Sequence, residues 1–226
     1  MEKLIPLLFF AFSFSDTTDF MVSFMGLDAA KVSISVKESF LKSKTVKSII
    51  YETKTISSAK TFFPIDNYYK TIINPDFSQI LYFEKSTSQP WLKNNLKTIV
   101  NQDNIYYSDS KIEILKGYHN IFTLLELVNH FKVKDLINKQ FYIDREGQRY
   151  TASFINGKLN NDYVELFLNI DLIEDDINPV LNSTDIFTWA VFREDAKRLL
   201  RIKDGKLIYC EFSLGLIKMK AEIIKK

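Results

Sequence analysis

Few side chains in this sequence could carry covalent or acid–base chemistry, and their spacing matches no catalytic or metal-binding constellation. The two histidines, His119 and His130, form neither the His-Glu-x-x-His pair of a zinc hydrolase nor a Cys/His array with ligand spacing. There is no Gly-x-Ser-x-Gly elbow and no glycine-rich phosphate loop, and the six glycines are scattered. A nucleophilic serine needs a base held beside it, and two histidines offer little choice. Glu174-Asp175-Asp176 is an acidic run without the alternating ligands and glycine of a calcium loop, and it reads as a solvated connection between strands. No catalytic residue, metal or cofactor is therefore expected. Paired carboxylates that act on a polysaccharide stay open, because residues distant in sequence meet only in the fold.

The residue types that do stand out are aromatic. Phe62-Phe63, Tyr68-Tyr69, Tyr82-Phe83 and Tyr106-Tyr107 form doublets, and Phe77 falls among them. Successive strand residues point to opposite faces, so each doublet places one ring on each side of a sheet. In a sheet that curls into a barrel or half-barrel, the inward rings would line an apolar groove able to hold a lipid or acyl chain. Phe62, Tyr68, Tyr82 and Tyr106 are the expected ligand-binding residues. The alternative is that both faces are buried and the rings fill a core.

Charge narrows the partners. A net charge of +2 implies no nucleic-acid partner. Between Lys31 and Lys60 there are seven lysines against Glu38 and Glu52. Such a face either meets anionic lipid or polysaccharide or, as the plainer reading, solvates strands and protects their edges.

The elements that would position these residues are strands. Val32, Ile34 and Val36 alternate with polar residues, as do Val164 to Leu172 and Ile217 to Ile223. Asn156-Gly157 and Asp204-Gly205 have the chemistry of type I′ hairpin turns, and Glu146-Gly147 and Asp103-Asn104 are weaker signals of the same kind. One segment departs from period two. Leu124, Leu125, Leu127, Val128 and Phe131 make a helical stripe, with Thr123 and Glu126 at capping-box spacing, so a short helix is expected near 121–131. The stretch Pro90-Trp91 to Leu96 is either a second helix or a loop. The fold class is mainly β, a curled antiparallel sheet with one short helix near 121–131.

The N-terminus reads as an address. Lys3, the apolar run Leu4 to Phe12 and the small residues Ala11, Ser13 and Ser15 match a secretory signal of 15 residues, too short to span a bilayer. The alternative is a buried N-terminal element. Residues 16–226 then form a single β-rich domain with no transmembrane segment. Cys210, the only cysteine, is far from the cleavage region, so a lipoprotein is not expected; it can form no internal disulfide and reads as a buried structural thiol. The expected location is the periplasm.

Three stretches resemble a bacterial family of exported proteins catalogued as domain of unknown function 3108. They are Met25 to Val36, Phe63 to Asp76, and the run from Trp189 through Phe192 and Asp195 to Leu214-Gly215 and Lys220-Ala-Glu-Ile223. The likeness spans roughly residues 20–224. It departs at Leu199-Leu200, where the family has a proline, and at Asn129-His130, where it often has an arginine. The resemblance implies an exported, mainly antiparallel β fold and brings no catalytic residues. Together these readings point to an envelope protein that binds a lipid or other amphiphile, or to a structural subunit docking on an envelope protein partner.

Overall fold

The computed structural model describes residues 16–225 apart from 58, 60–62, 161 and 174–178. The signal-like residues 1–15 and the acidic run Glu174-Asp175-Asp176 lie outside the described residues. Strands β1 (Asp16–Phe24), β2 (Leu27–Leu41), β3 (Lys44–Thr55), β4 (Asp66–Ile73), β5 (Ile80–Gln89), β6 (Leu92–Asn101), β7 (Asn104–Tyr107), β8 (Glu113–Ile114) and β9 (Tyr118–His119) precede the helices α1 (Ile121–His130) and α2 (Val133–Leu136). Then follow β10 (Gln140–Arg145), β11 (Gln148–Leu159), β12 (Val164–Leu172), α3 (Ile186–Phe192), β13 (Lys197–Lys203), β14 (Lys206–Leu214) and β15 (Ile217–Ile223).

All fifteen strands belong to one sheet, in which β1 pairs with both β2 and β15 and the order runs outward to β8 on one side and β9 on the other. Neighbours are antiparallel except β9 and β10. This is the curled antiparallel sheet that the period-two patterns predict, folded into a nearly closed barrel. Its two edges, β8 and β9, are two residues each and are joined by residues 115–117. Short edges leave little unpaired backbone to recruit another chain.

Turn chemistry explains most of the hairpins. Asp204 and Gly205 both take positive φ, 51° and 72°, as a type I′ turn requires. Glu146 and Gly147 do the same at 54° and 95°. Asn156-Gly157 does not. It lies inside β11 at a register shift, and the strand runs on to Leu159, beyond which the Asn160 amide donates to the Tyr163 carbonyl. The cause is a close approach: a Cβ on Gly157 would come within 2.8 Å of the Glu165 Cβ, so the glycine serves a bulge rather than a turn. Pro90-Trp91 is also neither helix nor long loop but the β5–β6 turn, with Trp91 at φ 62°.

The expected helix forms as α1, and it runs inside the barrel. Every residue from Ile121 to Val128 is buried, which suits a helix that is apolar nearly all round. Its capping box is one turn earlier than Thr123–Glu126. The Asn120 side chain accepts from the Thr123 amide at 2.9 Å, and the Thr123 hydroxyl accepts from the Asn120 amide at 3.0 Å. At the other end the His130 ring meets the Glu126 carbonyl at 2.9 Å, satisfying a terminal acceptor. Phe122 anchors the helix against Tyr69 and Tyr51, with ring centroids 4.4 and 4.9 Å apart. The helices α2 and α3 were not expected from periodicity. Asp185 caps α3 by accepting from the Thr188 amide at 3.0 Å, and the buried Arg198 guanidinium donates to the carbonyls of Val191 and Ala196 near its end.

Among the described residues no backbone ladder joins the two edges of the sheet; polar side chains, most of them buried, tie its two sides together. Lys85 of β5 is 1% exposed and points inward. Its ammonium sits 2.6 Å from Asp185 Oδ2, donates to Thr184 Oγ1 at 3.0 Å and pairs closely with Glu146. Tyr107 of β7 donates to Asp144 of β10, which also accepts from the Gly147 amide at 3.2 Å. Gln89 accepts from the Ile186 amide at 3.2 Å, and Asn94 donates to the Ser183 carbonyl at 2.9 Å. Burial opposes ionisation of Asp185, yet the Lys85 charge and the Lys85 and Thr188 hydrogen bonds hold its carboxyl below the usual range.

Replacing Lys85 by Met leaves two buried carboxylates without their cation. It is expected to cost about 3–5 kcal/mol, measured by chemical denaturation. Asp144 gives a second test. Burial lifts its carboxyl to about 6, outweighing the Tyr107 and Gly147 hydrogen bonds. The native protein then holds this proton more tightly than the unfolded chain, so the Asp144 contribution to stability falls as pH rises from about 4 to about 6. In Asp144→Asn that dependence is gone. Its stability relative to the parent is expected to climb by about 3 kcal/mol across that window and level off above it.

Candidate functional site

Alternation along the strands turns an apolar stripe of each toward the lumen. Ala30, Val32 and Ile34 of β2 share one face with Phe20 and Val22 of β1 and with Met219 and Ala221 of β15. Tyr51 and Thr53 of β3, Asn67 and Tyr69 of β4, and Cys210 and Phe212 of β14 continue the wall. Phe122 and Leu125 of α1 close one side, and Ile186 and Phe187 of α3 close another. Between them lies a cavity of about 450 Å³. That volume is within the range of small-molecule sites, and the carbon-rich lining matches their usual chemistry.

The two tyrosine hydroxyls of the wall are already engaged. The Tyr51 hydroxyl donates to Glu126 Oε1 at 3.1 Å, and the Tyr69 hydroxyl accepts from the Asn67 amide at 3.1 Å. Burial pushes both phenols well above their ordinary range, reinforced by the neighbouring carboxylates Glu126 and Asp185. Burial, with a smaller contribution from Glu126, pushes the Cys210 thiol up to about 12. The lining therefore offers chiefly dispersion contacts and apolar burial to a bound molecule.

The rings expected to bind a ligand are placed differently. Phe62 lies outside the described residues. Tyr68, Tyr82 and Tyr106 project from the outer face of the sheet, and none lines the cavity. Tyr82 donates to Glu84 at 3.0 Å, Tyr106 accepts from Asn104 at 3.3 Å, and Tyr68 stands near Glu84 and Glu52. The inward ring of each doublet is the second one. Phe63 and Tyr69 line the cavity, while Phe83 and Tyr107 fill the core beside it. Doublets do put one ring on each face; what the spacing lacks is the parity. In β4 the alternation Asn67, Tyr69, Thr71, Ile73 is the buried set, but Ile72 beside Ile73 hides that parity in the sequence.

Among the described residues no histidine, aspartate or glutamate lines the cavity. His119 is buried against Phe141 and its imidazole is pushed down to about 4 by burial. Lys85, Asp144, Glu146 and Asp185 do not line the cavity, and their cluster ties the two sides of the sheet together. Among the described residues no group of three His, Cys, Asp or Glu side chains could hold a metal ion. No helix among them is long and apolar enough to cross a membrane.

No family model matches the chain, and no curated protein matches it. Among solved structures it is similar to the beta-barrel-like protein of domain of unknown function DUF1849 from Brucella abortus. The TM-score is 0.54 at 8% identity, covering 93% of this chain and 96% of that one. The fold is a β-barrel-like one. At that identity the likeness extends to the fold alone, and the fold is compatible with a ligand-binding barrel.

The cavity wall makes one prediction of its own. With its pKa raised from 9.0 to about 12, Cys210 is expected to react with Ellman's reagent about a thousandfold more slowly than a free thiol, and at the ordinary rate once unfolded.

Proposed function

We propose that this protein is an exported, non-enzymatic envelope protein that binds a hydrophobic or amphiphilic ligand such as a lipid. The observation that carries the reading is the apolar cavity of about 450 Å³ inside the barrel. A void of that size lined by carbon forfeits packing energy unless something fills it. The signal-like residues 1–15 and the resemblance to the exported family of domain of unknown function 3108 support a periplasmic setting, where such a protein would hold amphiphiles away from water.

A second reading, a structural or partner-docking subunit, draws on the surface. Neighbouring strands alternate direction, so the turns at 25–26, 90–91 and 215–216 fall at one end of the barrel, beside α3. Met25, Leu27, Trp91, Trp189 and Leu216 are exposed there, with Trp91 at 98% and Leu216 at 90%. Exposed apolar groups gathered at one end are a feature of interaction surfaces.

Filling the cavity separates the two readings. Ala30→Phe adds a ring where space exists, so stability is expected to hold or rise, while affinity for the neutral dye Nile red falls about tenfold or more. Nile red fluorescence that is absent for the parent, or unchanged by the substitution, would contradict ligand binding in the lumen. Recovery of one stoichiometric protein partner by cross-linking in cells would favour the docking reading.

A further inference from the structure

The cavity has an apolar neighbour at the end of the barrel that carries α3. This outer space, of about 240 Å³, lies between α3 and the ends of β1, β14 and β15, with Trp189 and Ala190 on one side and Leu214 and Ile217 on the other. Trp189 and Ile217 are exposed, so the space opens to solvent. It shares Phe24, Ile186, Phe212 and Met219 with the wall of the cavity, which places those four side chains between the two.

Strand register explains this partition. Met219 pairs with Phe24 of β1 and with Phe212 of β14, so the three form one row across adjacent strands, and Ile186 of α3 completes it. Phe212 is fixed by its edge-on contact with Phe187, the ring centroids 5.9 Å apart. Met219 stands in the middle of the row, an unbranched thioether that changes rotamer readily. The helix itself is fastened at both ends, by Asp185 to Lys85 and by the Arg198 guanidinium to the Val191 carbonyl. Opening the partition therefore needs side chains to turn and no movement of α3.

The opposite end of the lumen is different. The space there, of about 300 Å³, has Glu38, Lys47 and Glu126 in its wall as well as apolar groups. A hydrocarbon chain entering that way would strip water from charged groups without replacing it, a cost absent from the carbon-lined end.

We infer that the ligand enters and leaves the lumen through the outer space, between α3 and the β14–β15 hairpin, turning Met219 aside and passing Trp189. This rests on the ligand-binding reading above and narrows its ligand to an amphiphile with a slender hydrocarbon chain, which goes through the opening first. Met25 and Leu216, exposed on the turns beside the opening, are the first apolar groups that such a chain meets.

Stopped-flow fluorescence of the single-chain fatty acid cis-parinarate with the full protein tests the route. An obstruction on the path slows entry and exit alike and leaves affinity unchanged. Ala190→Phe and Ile217→Trp each narrow the outer space, and both are expected to slow association and dissociation about tenfold with Kd as in the parent. Glu38→Trp narrows the other end and is expected to leave both rates unchanged. Parent rates in Ala190→Phe and Ile217→Trp, or slowing by Glu38→Trp, would overturn the route and leave ligand binding standing. So would a fall in affinity at an unchanged association rate, which makes the outer space part of the resting site. Nile red bound without cis-parinarate would overturn the slender-chain class, and neither probe bound would overturn the ligand-binding reading as well.

Discussion

The barrel depends on a buried ammonium ion. Its sheet ends in two strands of two residues that share no ladder, so backbone hydrogen bonding alone leaves the cylinder open. Lys85 reaches from β5 to Glu146 in the β10–β11 turn and to Asp185 at the start of α3, bringing both sides of the gap and the helix to one point. A charge taken out of water in this way is costly unless its partners are well placed, and two carboxylates and a hydroxyl meet that condition. The Tyr107–Asp144 bond closes the gap a second time. Such a network contributes less net stability than an apolar core of equal volume, but it fixes which strands meet.

What the closure encloses follows from size. A fifteen-stranded cylinder is wider than side chains alone can fill, so larger barrels enclose cavities or channels. Here α1 occupies part of the lumen, with Phe122 stacked among Tyr69, Tyr51 and Phe187. Asn129 ties its far end to β14 by accepting from the Leu207 amide at 2.7 Å. The helix α3 covers another part, positioned by Asp185 and Arg198. The remaining space is bounded by these two helices and six strands. Asp185 therefore links closure to cavity, because the same carboxylate receives Lys85 and caps the helix that supplies Ile186 and Phe187.

Much of this fold was legible in the sequence where a local rule decides. The alternations in β2, β12 and β15, the Asp204-Gly205 turn and the apolar stripe of α1 each depend on neighbours a few residues away. The closure was not legible, because Lys85 and Glu146 are 61 residues apart and a lone lysine in a strand reads as solvent-facing. Asn156-Gly157 misled because its glycine answers to Glu165 on the next strand. The cavity was half legible. Aromatic doublets marked the strands that line or flank it, but Tyr68, Tyr82 and Tyr106 face outward, because the parity of a doublet is set by cross-strand burial. The helix α3 was hidden by Phe, Trp and Val, which suit a strand equally well.

The central claim is that the lumen is a binding site and not a flaw in packing. Native mass spectrometry of the protein, isolated without detergent from the cells that make it, tests this most directly. The account predicts a population heavier than the chain by the mass of one amphiphile, lost on denaturing extraction and absent from Ala30→Phe. A single mass equal to the bare chain, before and after extraction, would contradict it.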